Sequence, residues 1–194
     1  SLILMARAKL TERRMTKQLK LIQNSLAIQT QLNEETGEKK ITAIASNVNT
    51  VNDNKFYLAG DVIEIQRDLY PFLYEHGKQS SELIGDTHVY YDPEANVYKA
   101  DLFPYDTALN IKNALERGAF SDVSIAYLVD DYEIVENGII YVKHAILREV
   151  SLVMTGADKD AKISKNSVSD ELEKERIDFL RKEKELKELK SKYE

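Results

Sequence analysis

The chain lacks cysteine altogether and is poor in glycine and proline, with seven and three in 194 residues. Without cysteine it can form no disulfide, no thiolate metal site and no cysteine nucleophile. This excludes a disulfide-stapled secreted module and agrees with a reducing cytoplasm. Collagenous and low-complexity classes are excluded as well, because 43% of the residues are hydrophobic and 31% are charged. The length suits one globular domain with appendages.

Long apolar runs are also missing. No stretch approaches the roughly 20 apolar residues that cross a bilayer, and no signal-peptide pattern is present. We therefore expect a protein of the cell interior that makes no membrane contact. The sequence leaves open whether residues 1–14, which begin at Ser1 and precede Met15, are native.

Charge is distributed unevenly along the chain. Residues 1–32 carry six basic and one acidic residue, residues 33–164 carry twelve and twenty-three, and residues 165–194 carry nine of each. A basic arm beside an acidic body indicates electrostatic binding to a negative surface, either a partner or another copy of the chain. The acidic body argues against nucleic acid as the main ligand.

The pattern divides the chain into three regions. Residues 1–38 are predicted to be a basic amphipathic helical arm and linker, because apolar residues recur three or four apart without glycine or proline. Residues 39–163 are predicted to be the folded domain. Residues 164–194 are predicted to be a charged helix whose sparse leucines suit a coiled coil or a docking helix, although a solvated helix fits equally well.

The central region is predicted to be mainly β. Period-two or short apolar segments occur at 41–48, 57–65, 87–91, 97–103, 123–129, 139–142 and 145–154. One helix is predicted at 105–117, with Gly118 as its terminator. The expected fold is α+β, mainly β: a small closed or strongly curved β-barrel of about seven strands with covering helices, flanked by the N- and C-terminal helices.

Histidine is scarce, so the candidate bases are few. His76 follows an apolar run at an element boundary, where catalytic groups are often held, although an ordinary loop histidine also fits. His88 and His144 lie in strand-like runs and are expected to be packed or surface residues. The spacing of metal-ligand motifs is absent, so neither zinc nor another cofactor is expected.

Two polar residues interrupt apolar strands. Ser124 lies in Val-Ser-Ile-Ala-Tyr, where alternation places it with Ala126 on one face; it is a nucleophile candidate or a serine bonded to a neighbouring carbonyl. Glu149 lies in a strand apolar enough to be central, where an unpaired carboxylate is costly. We expect a histidine or backbone donors to bind this carboxylate, because alternation turns the neighbouring Arg148 to the other face of the strand. The alternative is an edge strand on which Glu149 faces water.

Ser124, His76 and Glu149 together complete the inventory of a serine hydrolase. The Gly-x-Ser-x-Gly elbow is absent, so an α/β-hydrolase is not predicted. A phosphate-binding glycine loop is absent too, which argues against nucleotide enzymes.

An ordered set of segments over about residues 41–163 resembles the prohead maturation proteases of tailed phages, which are similar in fold to the herpesvirus assemblins. The segments are Ala-Ile-Ala-Ser at 43–46, Tyr-Leu-Ala-Gly-Asp at 57–61, Tyr-Glu-His-Gly at 74–77, Asp-Val-Ser-Ile-Ala-Tyr at 122–127 and Leu-Arg-Glu-Val-Ser-Leu-Val at 147–153, followed by Gly-Ala-Asp at 156–158. Two departures are Ala126, where the family usually has glycine, and Thr155-Gly156.

The resemblance implies that His76 is the general base, Ser124 the nucleophile and Glu149 the orienting third member. In assemblins the third member of the triad is a histidine, so His144 or His88 is the alternative to Glu149 in that role. The resemblance further implies a serine endopeptidase that cleaves the scaffolding segment of the major capsid protein, and itself, inside the procapsid in the host bacterial cytoplasm. Self-association as a dimer or larger oligomer is expected.

Two other readings stay open. A non-enzymatic scaffold or assembly factor could use the same barrel and the same charged helices. An unrelated β-barrel binding module would need neither Ser124 nor His76.

Overall fold

Nine strands and two helices make up the part of the chain that the computed structural model describes, residues 20–32, 39–52, 54–120, 122–153 and 170–192. The strands are β1 (Lys20–Leu32), β2 (Lys39–Asn47), β3 (Phe56–Leu58), β4 (Ile63–Glu64), β5 (Tyr70–Tyr74), β6 (Leu83–Asp92), β7 (Val97–Pro104), β8 (Asp122–Val135) and β9 (Ile139–Val153). The helices are α1 (Leu109–Glu116) and α2 (Asp170–Ser191). The mainly β fold with covering helices is therefore confirmed.

All nine strands belong to one strongly curved sheet. The pairing order is β3-β9-β5-β6-β7-β2-β1-β8, with β4 also on β9 and β8 paired with β9 as well as β1. Strands β3, β4 and β5 run parallel to β9, and the other pairs are antiparallel. As a result β9 has β8 along one side and the three parallel strands along the other.

The core lies on the concave side of this sheet. Its largest fully buried side chains are aromatic and come from four strands: Phe56, Tyr70, Phe72, Tyr98 and Tyr127. Five consecutive residues of β8, from 123 to 127, are buried. The apolar ones at 123, 125 and 127 belong to the core cluster, so alternation sends Ser124 and Ala126 to the outer face, where they are covered too.

One region departs from its predicted secondary structure. The helical arm predicted within residues 1–38 is wrong for residues 20–32, which form β1 and pair with β8 through Lys20–Ala27 and with β2 through Ile28–Leu32. The sequence carried this signal, because Leu26, Ile28, Thr30 and Leu32 alternate with polar or small residues. Residues 20–32 form a strand because pairing with both β2 and β8 stabilises the extended backbone more than their helical pattern, which short polar gaps interrupt, stabilises a helix. Residues 1–19 lie outside the described part.

The other predicted elements are mostly present with adjusted bounds. The segments predicted at 139–142 and 145–154 form the single strand β9, and the one at 57–65 divides into β3 and β4. Strand β5 was not predicted, because its five residues, Tyr-Pro-Phe-Leu-Tyr, include a proline. Gly118 ends α1 as expected, with φ of +71° and its N–H bonded to the Leu115 carbonyl.

Helix α2 docks on the turn between β8 and β9. Leu172 is fully buried, Leu180 and Arg176 pack on Gly138, and the Tyr132 hydroxyl donates to Glu175. The second half of the helix is different, since Leu186 and Leu189 are about half exposed. Neither described helix is long and apolar enough to span a bilayer.

Docking of α2 is expected to depend on Leu172. Leu172→Ala should lower the free energy of unfolding by about 2–5 kcal/mol, since it removes a fully buried side chain and leaves a cavity. Leu189→Ala is the matched control on the same helix, where exposure limits the change to about 0.5 kcal/mol. Urea unfolding followed by circular dichroism measures both, and equal effects would contradict this view of the helix.

Candidate active site

Three strands bring the predicted residues to one place on the outer face of the sheet. Ser124 lies on β8, Glu149 lies on β9, and His76 follows the end of β5 by two residues. In the β8–β9 ladder Ala126 opposes Glu149, and on the other side of β9 Tyr74 is level with Leu152. The strand that carries the glutamate thus lies between the strand of the serine and the strand that leads to the histidine.

A tight turn folds His76 back over β9. The Glu75 N–H donates to the Leu152 carbonyl at 2.9 Å, and the Gly77 N–H donates to the Tyr74 carbonyl at 3.0 Å. Glu75 and His76 have φ of +51° and +55°. Left-handed backbone is uncommon for residues other than glycine and costs free energy, which surrounding contacts must offset.

The three side chains form a continuous hydrogen-bonded chain. His76 Nδ1 lies 2.6 Å from Glu149 Oε1, and His76 Nε2 lies 2.8 Å from Ser124 Oγ. With the proton on Nδ1, the imidazole donates to the carboxylate and accepts from the serine hydroxyl. The side chains of His76 and Glu149 are only 15% and 13% exposed, so bulk water competes weakly for these bonds.

A fourth side chain, Ser151, contacts this group and was not identified from the sequence. Its hydroxyl donates to Glu149 Oε2 at 2.5 Å and accepts from the His76 backbone N–H at 3.2 Å. The sequence signal was its position two residues after Glu149, on the same face of a strand that is otherwise apolar.

The expectation that Glu149 needs partners is met by His76 and Ser151. The alternative of a water-facing edge position is wrong, because β9 has neighbours on both sides there. The argument that alternation turns Arg148 away does not hold either. Arg148 is the extra residue of a β-bulge, since Tyr127 opposes Leu147 and Ala126 opposes Glu149, and its side chain is exposed.

The other two histidines lie elsewhere. His144 binds Asp130 through Nδ1 at 2.5 Å and Glu64 through Nε2 at 3.1 Å. His88 is exposed on β6 and stacks on Tyr90. The two ring nitrogens of His76 bind Glu149 and Ser124, so neither His144 nor His88 replaces Glu149 as the partner of His76 in this structure.

Metal-binding geometry is not found within the described ranges, where no cluster of three or more histidine, aspartate or glutamate side chains could hold an ion. A surface depression beside His144 is lined by residues of β4 and β6, and none of the three candidate residues borders it.

Comparison with known proteins identifies the family of the chain. The family model of the caudovirus prohead serine proteases matches residues 27–175, which include all three candidate residues. The chain belongs to this family of prohead serine proteases. It is therefore a serine peptidase of phage capsid maturation, and the reading as a non-enzymatic assembly factor is set aside.

Individual relatives of this prohead protease extend over most of its length. It is 44% identical over 179 residues to the "Probable capsid maturation protease" of Lactococcus phage p2, covering 91% of this chain and 100% of the relative. The protein of the same description in Lactococcus phage SK1 gives the same values. Among solved structures, the bacteriophage T4 capsid assembly protease matches with a TM-score of 0.49 and 13% identity, over 71% of this chain and 99% of that one.

The cluster around His144 is expected to make the stability of the prohead protease depend on pH. The hydrogen bond to Asp130 is the largest influence and raises the pKa of His144 above its ordinary value of 6.5; burial comes next and opposes it, and the charges of Asp130 and Glu64 add to the rise. The ionic contacts therefore stabilise the fold fully below pH 6.5, and this contribution is lost as pH rises through the folded-state pKa.

A proton NMR titration should place the His144 midpoint above 6.5, and Asp130→Asn should move it down. Stability should fall more between pH 6 and pH 8 in the unmodified chain than in His144→Gln. A midpoint at or below 6.5 would contradict the pairing.

Proposed function

We propose that Ser124, His76 and Glu149 are the catalytic triad of this peptidase. The observation that carries the proposal is the hydrogen-bonded chain from Glu149 Oε1 through both ring nitrogens of His76 to Ser124 Oγ. It joins a nucleophile, a base and an orienting acid in the order that acyl transfer requires. This assignment is the one that the sequence resemblance implies.

In the proposed mechanism Ser124 Oγ attacks the carbonyl carbon of a peptide bond while its proton passes to His76 Nε2. Glu149 holds the ring through Nδ1 and stabilises the imidazolium that forms. The proton then passes to the leaving amine, and the acyl group remains on Ser124. A water molecule, deprotonated by His76, then attacks the acyl carbon; the bond to Ser124 Oγ breaks and Oγ takes the proton back from His76, while backbone N–H groups stabilise each oxyanion.

Substitution of the triad tests this directly. Labelling of the full chain by a fluorophosphonate, which reacts with activated serines, is expected to vanish in Ser124→Ala. It should fall by about 10⁴-fold or more in His76→Ala, because the base is lost, and by about 10²- to 10⁴-fold in Glu149→Gln, because the ring loses its orienting charge.

Two matched controls sharpen the result. Ser46→Ala removes another buried serine, on β2, and His88→Gln removes a histidine away from Ser124; both should label at the unmodified rate. Intact mass of concentrated protein over time gives a second readout, since fragments should appear only when Ser124 is present. Labelling that persists in Ser124→Ala would rule out this nucleophile.

We infer that the substrates are the scaffolding segment of the major capsid protein and the protease itself, cut inside the procapsid in the bacterial cytoplasm. Two observations support this: the family is one of prohead proteases, and the two Lactococcus phage relatives are described as capsid maturation proteases.

We also infer that the curved sheet closes as a seven-stranded barrel of β9, β5, β6, β7, β2, β1 and β8. The support is the ladder of pairs itself, since β8 at the end of the order pairs again with β9. On this basis the peptidase domain begins by Lys20 rather than at residue 39, because β1 is one of the seven strands.

The terminal regions are proposed to retain the enzyme in the procapsid through scaffold segments or sister copies. Residues 181–192 support this, with six basic and three acidic residues beside the exposed Leu186 and Leu189. Residues 1–19 add five basic residues and one acidic residue.

Deletion variants in the Ser124→Ala background, which prevents self-cleavage, test retention. Loss of 1–19 or of 181–194 spares β1 and the buried Leu172 and should lower the number of protease copies per prohead. Quantitative mass spectrometry of purified proheads measures this number. Unchanged copy numbers in both deletions would discard the retention role.

A further inference from the structure

We propose that Ser151 is a positioning residue for the peptidase: its hydroxyl fixes the Glu149 carboxylate and the His76 main chain relative to each other. This inference rests on the proposed triad, in which both residues act. Ser151 does not touch the reacting atoms, so its effect passes through its two neighbours.

The Ser151 hydroxyl acts as both a hydrogen-bond donor and a hydrogen-bond acceptor. The O–H donates to Glu149 Oε2, and a lone pair of Oγ accepts the His76 N–H. Ser151 is fully buried, so no bulk water reaches it to replace either bond. A single atom therefore links the acid to the backbone of the base.

The bond to Oε2 fixes the orientation of the carboxylate. Glu149 presents Oε1 to the ring of His76, and a carboxylate held at only one oxygen can still rotate about its last bond. Anchoring Oε2 from the same strand removes this rotation. It also supplies a donor to a charge that is mostly withdrawn from water.

The bond to the His76 N–H acts on the other partner. Glu75 and His76 both have left-handed backbone, which other conformations would relieve if nothing held the turn. The Glu75 N–H is held by Leu152, and the next N–H is held by Ser151. The two bonds anchor the turn to consecutive residues of β9.

The strand register explains why only a residue at position 151 can contact both Glu149 and the turn that carries His76. Ser151 is level with Ser124 on β8 and with Leu73 on β5, so it lies in the middle of the three strands that supply the triad. Any residue there faces both the glutamate two positions earlier and the turn above it.

Fluorophosphonate labelling of the full chain tests the role without a known peptide substrate. Ser151→Ala is expected to lower the maximal labelling rate by about 10- to 100-fold, because a buried carboxylate oxygen and a buried N–H lose their partner. The probe concentration for half-maximal rate should not change, since Ser151 does not contact the probe. Ser46→Ala, the buried serine of β2, should behave as the unmodified chain.

A size-matched pair separates the hydroxyl from packing. Ser151→Thr and Ser151→Val add the same bulk, and only threonine keeps the hydroxyl, so the threonine variant should label at least about 10-fold faster. The low-field proton resonance of His76 Nδ1–H should persist with threonine and be lost or shifted with valine.

Equal rates for the threonine and valine variants, or an unmodified rate for Ser151→Ala, would overturn the positioning role. Failure of the triad itself gives a different result, because Ser124→Ala would then still be labelled. The two inferences can therefore fail separately.

Discussion

The double-sided pairing of β9 is the constraint on which the rest of the structure depends. Along one side it pairs with β8, and along the other with β3, β4 and β5 in turn. Because both ladders are fixed, Ser124, Glu149 and the turn that carries His76 can meet at only one level of the sheet. Strands buried on both faces resist a shift of register, since a slip of one residue would exchange the inner and outer side chains.

The site combines features that would each be unfavourable alone. Two left-handed residues precede Gly77, and a carboxylate is mostly buried on β9. The turn and the strand satisfy each other's polar groups. The ring N–H of His76 donates to the Glu149 carboxylate, and its main-chain N–H donates to the Ser151 hydroxyl. Such mutual compensation explains how a strained turn persists, and it also holds the base in place before any substrate arrives.

The two ends of the β8–β9 hairpin carry different features. Ser124 and Glu149 lie towards its open end, while its closed end at Gly138 receives α2. The proposed catalytic residues are therefore separated from the docking site of α2 along the length of the hairpin.

The local sequence pattern was sufficient to predict a strand or helix wherever one face of that element packs against the core. Most strands, α1 and α2 could be read from the sequence, and Ser124 and Glu149 stood out as polar residues in apolar strands, because burial imposes alternation and makes an unpaired polar group costly. His76 was a candidate only by its place at an element boundary, and the family resemblance favoured it over an ordinary loop histidine, since a loop residue has no periodic signal. Strand β1, the bulge at Arg148 and the contacts of Ser151 were decided only by tertiary structure. Each depends on which strands pair and in what register, and the short alternation at residues 26–32 does not by itself specify the partners of β1.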